Sequence, residues 1–453
     1  MGGRKRVFNS GAPPPSVWDV AALKAALAEL KIGWAHGERL LGYLARRPEI
    51  TTWAGVEWGT FRNRIPERMQ ARLPELFSVR CCRLRSSHES ADRTTTKMVI
   101  GLRDGRDVET VIMRHGTLRS NRITVCVSSQ IGCAMACTFC ATGTMGIHGD
   151  LSVGEIVEQT LFAKAAAPAL RNVVFMGMGE PLNNYDAVVG ACRVLFDERG
   201  LAFGHGRVTV STVGVTHRIA TFARDEPRAS LALSLHAPTQ AKRVSIMPAA
   251  KNHDFGKLLE TLDAYVEAKA AVAPSGRDTL LMVEYILLGG VNDTATDARA
   301  LGDVLAPPGR EKRFKGRAMV NLIAYNETPG LPYARPNDAA VRAFQTILAD
   351  RGVLCCVRKT MGADVAGACG QLLKATARAP EIEDAVPPPP PPRARRRVAL
   401  SAEAADPAPP AAPPPRPGAA PPPRDARERV AAALAVAGFG FAAAAYYALP
   451  ASA

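Results

Sequence analysis

GCAMACTFCATGTMG, residues 132–146, sets thiols at Cys133, Cys137 and Cys140 in a chain that otherwise reads as a basic α/β protein. Three chemistries compete for that trio. Structural zinc sites usually pair two CxxC-like knuckles across a longer gap; no second knuckle exists here, although Cys126 stands upstream as a fourth thiol. A redox pair would leave one cysteine idle. A cluster held by three cysteines keeps one iron open, and an open iron can chelate a small molecule through an amine and a carboxylate.

Composition narrows the setting. The chain has 453 residues, too many for one ordinary domain, and its 47% hydrophobic content can bury a large core. Its ten cysteines are unevenly clustered in a chain far larger than disulfide-built scaffolds, which points to a reducing compartment. A formal charge of +15 favours a polyanionic partner such as RNA. The opening MGGRKRVFNSGAPPPSVWD lacks the apolar run of a secretory signal, and Arg6 stands where a myristoylation motif carries Ser or Thr, so a cytoplasmic location is expected.

Upstream of the cysteines, VWDVAALKAALAELKI and GERLLGYLARR repeat at helical spacing, then TTTKMVIGLRDGRDVETVIM and its continuation read as a hairpin or meander. Downstream, strand-like runs (NVVF, RVTVST, ASLALS, TLLMVEYIL, AMVNLIAY, VLCCVRK) alternate with helical ones, the pattern of parallel βα units in a sheet or barrel. Ligands in that architecture gather at the carboxyl ends of the strands. GMGEPLNN places Gly179, where backbone can approach a ligand closely, beside Glu180, which can accept from an ammonium. Ser211, Ser234 and Asn326 each close another strand with a small polar group, and Leu235 and His236 follow Ser234. His236 is expected to meet a ligand through its backbone. The basic loop GREKRFKGR, residues 309–317, is a candidate RNA contact together with the N-terminal helices.

Beyond about residue 380 the composition turns to Pro, Ala and Arg, with roughly half of the chain's 35 prolines, as in a solvated linker. It leads to VAAALAVAGFGFAAAAYYAL, residues 430–449, uncharged and of about the ~20 residues that span a bilayer. That stretch is a candidate tail anchor, with a soluble Ala-rich helix as the alternative.

DVETVIM, CVSSQIGCAMACTFC, GMGEPLNNYD, SLHAPTQAKRVSIMP, EYILLGGVND and VRKTMGADVAGACGQL, in that order within residues 17–374, resemble the RlmN/Cfr family of radical S-adenosylmethionine (SAM) RNA adenine methyltransferases, most closely its RlmN branch. Phe139 before the last cysteine fits that pattern. The resemblance implies an α/β fold: a partial (β/α)6 radical SAM barrel at 101–378 after an N-terminal helical accessory RNA-binding domain at 12–100. A disordered linker at 379–429 and the apolar 430–449 would follow. It implies a 4Fe-4S cluster on Cys133, Cys137 and Cys140, and SAM contacts at Gly179, Glu180, Ser211, Ser234, Leu235, His236 and Asn326.

The implied reaction adds a methyl group to carbon 2 of adenosine in ribosomal RNA, tRNA or both. That carbon is no nucleophile for a sulfonium methyl, so a radical route is needed. By match, one SAM methylates Cys369, a second is reductively split to take a hydrogen from that methyl, and the resulting radical joins the adenine. Cys126 then attacks the Cys369 sulfur in a transient disulfide to release the product. Glu109 matches the proposed base for the ring proton. Two SAM per turnover, an electron donor and a monomer are implied. A Cfr-like carbon-8 methyltransferase and a non-catalytic zinc-containing RNA-binding protein are the alternatives. Cys81, Cys82, Cys192, Cys355 and Cys356 match no role.

Overall fold

The computed structural model describes residues 4–372 apart from 9–10, 62, 118–119, 273–280 and 310. The proline-rich linker and the candidate anchor lie outside the described residues. Among those described, no helix is long and apolar enough to cross a membrane.

The meander expected before the cysteines is present. Strands β1 (Arg83–Glu89), β2 (Thr95–Gly101), β3 (Asp107–Thr117) and β4 (Ser120–Cys126) pair antiparallel in succession. The RDGR turn is tight: Gly105 sits at φ +84° and donates its N–H to the Leu102 carbonyl. Two short strands, β5 (Gln130–Gly132) and β6 (Ile147–Asp150), then pair antiparallel and bracket the cysteine segment.

The remaining strands, β7 (Leu170–Phe175), β8 (Val208–Thr212), β9 (Ser230–Ser234), β10 (Leu281–Leu287), β11 (Ala318–Ala324) and β12 (Leu354–Arg358), run parallel to β4 and to one another. One ten-stranded sheet results, in the order β1-β2-β3-β4-β7-β8-β9-β10-β11-β12. It is mixed and does not close: β1 and β12 are free edges, so the barrel is partial, as expected. β8 and β10 are buried at every residue, because helices cover one side and the interior fills the other. The sheet continues across residues 100 and 101, where the sequence reading divides the chain.

The N-terminal helices Val20–Glu29, Trp34–Ala45 and Glu67–Leu76 bury Leu23, Leu27, Leu40, Leu44, Met69 and Leu73 in the same hydrophobic core as the sheet. Each such side chain contributes ~1.5–3 kcal/mol by leaving water. The helix Val153–Ala166 has no counterpart in the sequence reading. It starts at a capping box between Ser152 and Glu155 and is buried on nearly all sides, including Glu155, Glu158 and Gln159. Those polar groups act as ties. Gln159 accepts from Thr110 Oγ1 and the Ser128 N–H, both at 2.8 Å, and Glu158 accepts from the N–H groups of Cys81 and Cys82.

Candidate active site

The cysteine loop leaves the carboxyl end of β4 through β5 and returns through β6. It closes where Cys133 N–H donates to the Gly146 carbonyl at 2.8 Å. Gly132, at φ +72°, must be glycine, since a Cβ there would lie 1.9 Å from that carbonyl oxygen. Within the loop, Cys140 N–H donates to the Cys137 carbonyl, and Thr138 N–H reaches the Ile246 carbonyl at 3.0 Å. Cys137 and Cys140 pack against an apolar cluster that includes Phe139, Ile246, Met247, Ile286 and Tyr325.

This loop suits a cluster better than a single ion. Among the described residues, only Cys81, Cys82 and Glu158 bring three donor atoms all within 4.8 Å of one another. The sulfurs of Cys133, Cys137 and Cys140 are thus spread wider than the ~3.8 Å separations of tetrahedral zinc with Zn–S near 2.3 Å. Burial pushes the Cys133 thiol up to about 12 and raises Cys137 and Cys140 as well, each aggravated by the neighbouring sulfurs. A bound cationic centre would supply the charge that three thiolates need in this apolar shell. The rival trio around Glu158 is already satisfied, because its carboxylate accepts from Cys81, Cys82 and Ser16.

The strand-end residues singled out from sequence form one connected rim at the mouth of the sheet. Gly179, at φ +98°, lets its chain press against Gln130, where a Cβ would lie 2.5 Å from the Gln130 Cβ. The Glu180 N–H donates to Gln130 Oε1 at 2.9 Å. The Glu180 carboxylate is buried, accepts from the N–H groups of Leu182 (3.1 Å) and Val213 (2.9 Å), and is pushed up to about 7 by its burial. A ligand ammonium would restore its charged form. Ser211 and Ser234 place their Oγ atoms 3.3 Å apart at the ends of β8 and β9.

Leu235 and His236 turn the chain past Ser234, His236 at φ +58°. The His236 ring is fully committed: Nδ1 accepts from Ile286 N–H at 3.0 Å and the ring packs edge-on against Phe139. Burial, with Arg243 nearby, pushes His236 down to about 3, so it stays neutral and can offer a ligand only its backbone. Arg243, absent from the sequence reading, is fully buried and braces this turn by donating to the carbonyls of Leu235 (3.0 Å) and Val213 (2.7 Å).

Asn326 joins the rim to Cys369. Its Nδ2 donates to the Cys369 carbonyl at 3.4 Å while its Oδ1 accepts from Thr360. The Cys369 segment is docked directly on the cysteine loop: Ala141 N–H donates to the Gly370 carbonyl at 2.8 Å, and Thr142 Oγ1 to the Leu372 carbonyl at 2.6 Å. Cys369 and Cys126 line one cleft together with Cys140, Asn326 and Arg358. Both are free thiols. Burial and then the nearby Cys369 raise Cys126 to about 12, opposed by Arg358. Arg358, at the end of β12, faces both sulfurs and Glu284, and the Cys369 sulfur foremost raises it above its ordinary range. The sequence signal for Arg358 is its place in the VRKT segment eleven positions before Cys369.

Glu109 is set apart from this rim. It lies on β3, is 1% exposed, and pairs with Lys97 Nζ at 2.8 Å. Two residues along the same strand face, Val111 pairs with Cys126 across the ladder and lines the cleft. Lys97 carries no sequence signal beyond its place in the preceding strand.

The sequence profile of the Radical SAM superfamily matches residues 127–297. The chain is 41% identical over 314 residues to a protein of Solidesulfovibrio magneticus named dual-specificity RNA methyltransferase RlmN, covering 68% of this chain and 83% of that one. A protein of Salinibacter ruber named probable dual-specificity RNA methyltransferase RlmN is 40% identical over 365 residues, 78% of this chain and 91% of its own. Among solved structures, a radical SAM methyltransferase from Sphaerobacter thermophilus superposes with a TM-score of 0.69 at 33% identity, over 79% of this chain and 99% of that one.

Proposed function

The chain belongs to the RlmN family of radical SAM RNA methyltransferases, and from that membership we propose that it methylates carbon 2 of an adenosine in ribosomal RNA, tRNA or both, through a methyl group carried on Cys369. The observation that carries this reading is the docking of the Cys369 segment onto the cysteine loop, with Cys126 lining the same cleft. Cys133, Cys137 and Cys140 hold the 4Fe-4S cluster that the family implies, and the rim from Gly179 to Asn326 holds SAM. When bound there, one SAM supplies a methyl group, and a second, with an electron from a donor, supplies the means to remove a hydrogen atom, two per turnover.

The chain's own residues divide the remaining work. The Cys369 sulfur takes the methyl group and then becomes the point of attachment to the base. The Cys126 sulfur attacks that of Cys369, forming an S–S bond as the bond from Cys369 to the methylated base breaks. Arg358 supports this step as the cation beside both sulfurs. Glu109, held by Lys97, takes the proton lost from carbon 2, and the target adenine must be turned out of its stack to reach the cleft.

The test is mass spectrometry of nucleosides from ribosomal RNA and tRNA incubated anaerobically with reconstituted protein, a reductant and methyl-deuterated SAM. We expect 2-methyladenosine that has lost one deuterium. Either 8-methyladenosine or no methylated adenosine, from protein holding its cluster, would overturn the reading.

A further inference from the structure

A second cavity, of ≈ 640 Å³, opens between the N-terminal arm, the β2–β3 turn and β6. Arg4, Lys5, Arg6, Arg83, Arg103 and Arg106 line it, against a single lining carboxylate, Asp104. Asp104 is occupied by Arg6 and Arg106. That leaves Arg4, Lys5, Arg83 and Arg103 without an ion pair among the described residues. We propose that this basic pocket docks the sugar-phosphate backbone of the RNA substrate, an inference that rests on RNA being what the enzyme methylates.

Three observations carry it. The first is charge, since four unneutralised cations around one cavity form a field that only a polyanion would match. The second is preorganisation. Arg6 is anchored beneath the pocket by Asp104 and Glu155 with its side chain 2% exposed, and the Arg4 carbonyl accepts from the Asp150 N–H at 3.0 Å. The arm is thereby fixed along β6, so Arg4 and Lys5 need little ordering when a ligand arrives.

The third is position. β3 runs antiparallel to β4 with Val111 opposite Cys126, so the turn before β3 extends past the carboxyl end of β4. Arg106 Nη1 donates to the His148 carbonyl in β6, the strand that returns from the cysteine loop. Pocket and catalytic cleft therefore share one end of the sheet, where RNA delivering an adenosine to the mouth would run. The pocket offers no Phe, Tyr or Trp ring for base stacking. It therefore suits phosphate contacts, which position without reading sequence.

The test is fluorescence-anisotropy titration of full-length protein with unmodified tRNA and ribosomal RNA transcripts at several salt concentrations, without SAM. The triple variant Arg4→Gln, Lys5→Gln, Arg83→Gln removes three exposed side chains. Lys251→Gln, Lys257→Gln, Arg299→Gln makes the same charge change at three other exposed positions. With each phosphate contact contributing ~0.7 to the salt slope, the pocket triple should lower the slope by about 2 and weaken binding of both transcripts. The control triple should move the slope far less. An unchanged slope, or an equal fall in the control, would overturn the proposal. Methylation is scored separately: RNA that binds through the pocket yet is never methylated would sink the proposed function and spare the pocket.

Discussion

Closure of the cysteine loop at Gly132 can be tested against a matched partner. Gly132→Ala would put a Cβ 1.9 Å from the Gly146 carbonyl oxygen, 1.1 Å inside the 3.0 Å that real Cβ atoms keep. The obstacle is backbone and cannot rotate away, so the carbonyl must shift and release the Cys133 N–H. Gly146 has nearly the same φ, +69°, but nothing within 4 Å of its own would-be Cβ. Both alanines therefore cost ~1–2 kcal/mol of left-handed backbone strain. Gly132→Ala alone adds the clash and the loss of a hydrogen bond worth ~1 kcal/mol. Anaerobic reconstitution followed by iron and sulfide analysis reads the difference directly. Gly146→Ala should melt a few degrees lower and still fill with iron, whereas Gly132→Ala should remain folded by circular dichroism yet take up much less. Equal iron in the two variants would refute the view that this contact sets the Cys133 ligand.

Three further outcomes are expected. Cys369→Ala should keep full iron and sulfide but form no methylated adenosine, and any methylation above background would remove Cys369 from its role. Cys126→Ala should strand the covalent protein-RNA species, seen as a shifted band on a denaturing gel that nuclease removes; free product without such a band would argue against Cys126 as the releasing thiol. Glu180 must be a carboxylate to receive an ammonium, and burial holds it at about 7. SAM affinity should thus be full above that value and fall as pH drops through it, roughly tenfold per unit below. Calorimetric titration of the reconstituted protein should show this slope, and Glu180→Gln should flatten it.

The parallel strands were legible because a sheet covered on both faces must be written as unbroken apolar runs such as LMVEYIL and RVTVST. The strand-end site followed from architecture, since Glu180, Ser211, Ser234 and Asn326 stand where such a sheet collects ligands. What escaped was built from polar residues doing buried work. The helix Val153–Ala166 shows no apolar stripe, because Glu155, Glu158 and Gln159 point into protein and are satisfied by distant backbone and side-chain groups. β1, RLRSSHE, is a largely exposed edge strand whose sequence is polar on both faces. Arg358 and Arg243 look like surface charges until tertiary partners far along the chain surround them. The pairing of Glu109 with Lys97 likewise depends on the register of β2 and β3, which sequence periodicity does not fix.

The hydrogen bond from Thr142 to Leu372 spans 230 positions of sequence, and that separation has a temporal side. At ~5–20 residues per second, roughly 12–46 s of synthesis lie between the emergence of the two partners. The loop that takes up iron is thus made long before the segment bearing its methyl-accepting sulfur. Metal insertion can begin on the nascent chain, while the ability to alkylate RNA awaits the last strand of the sheet.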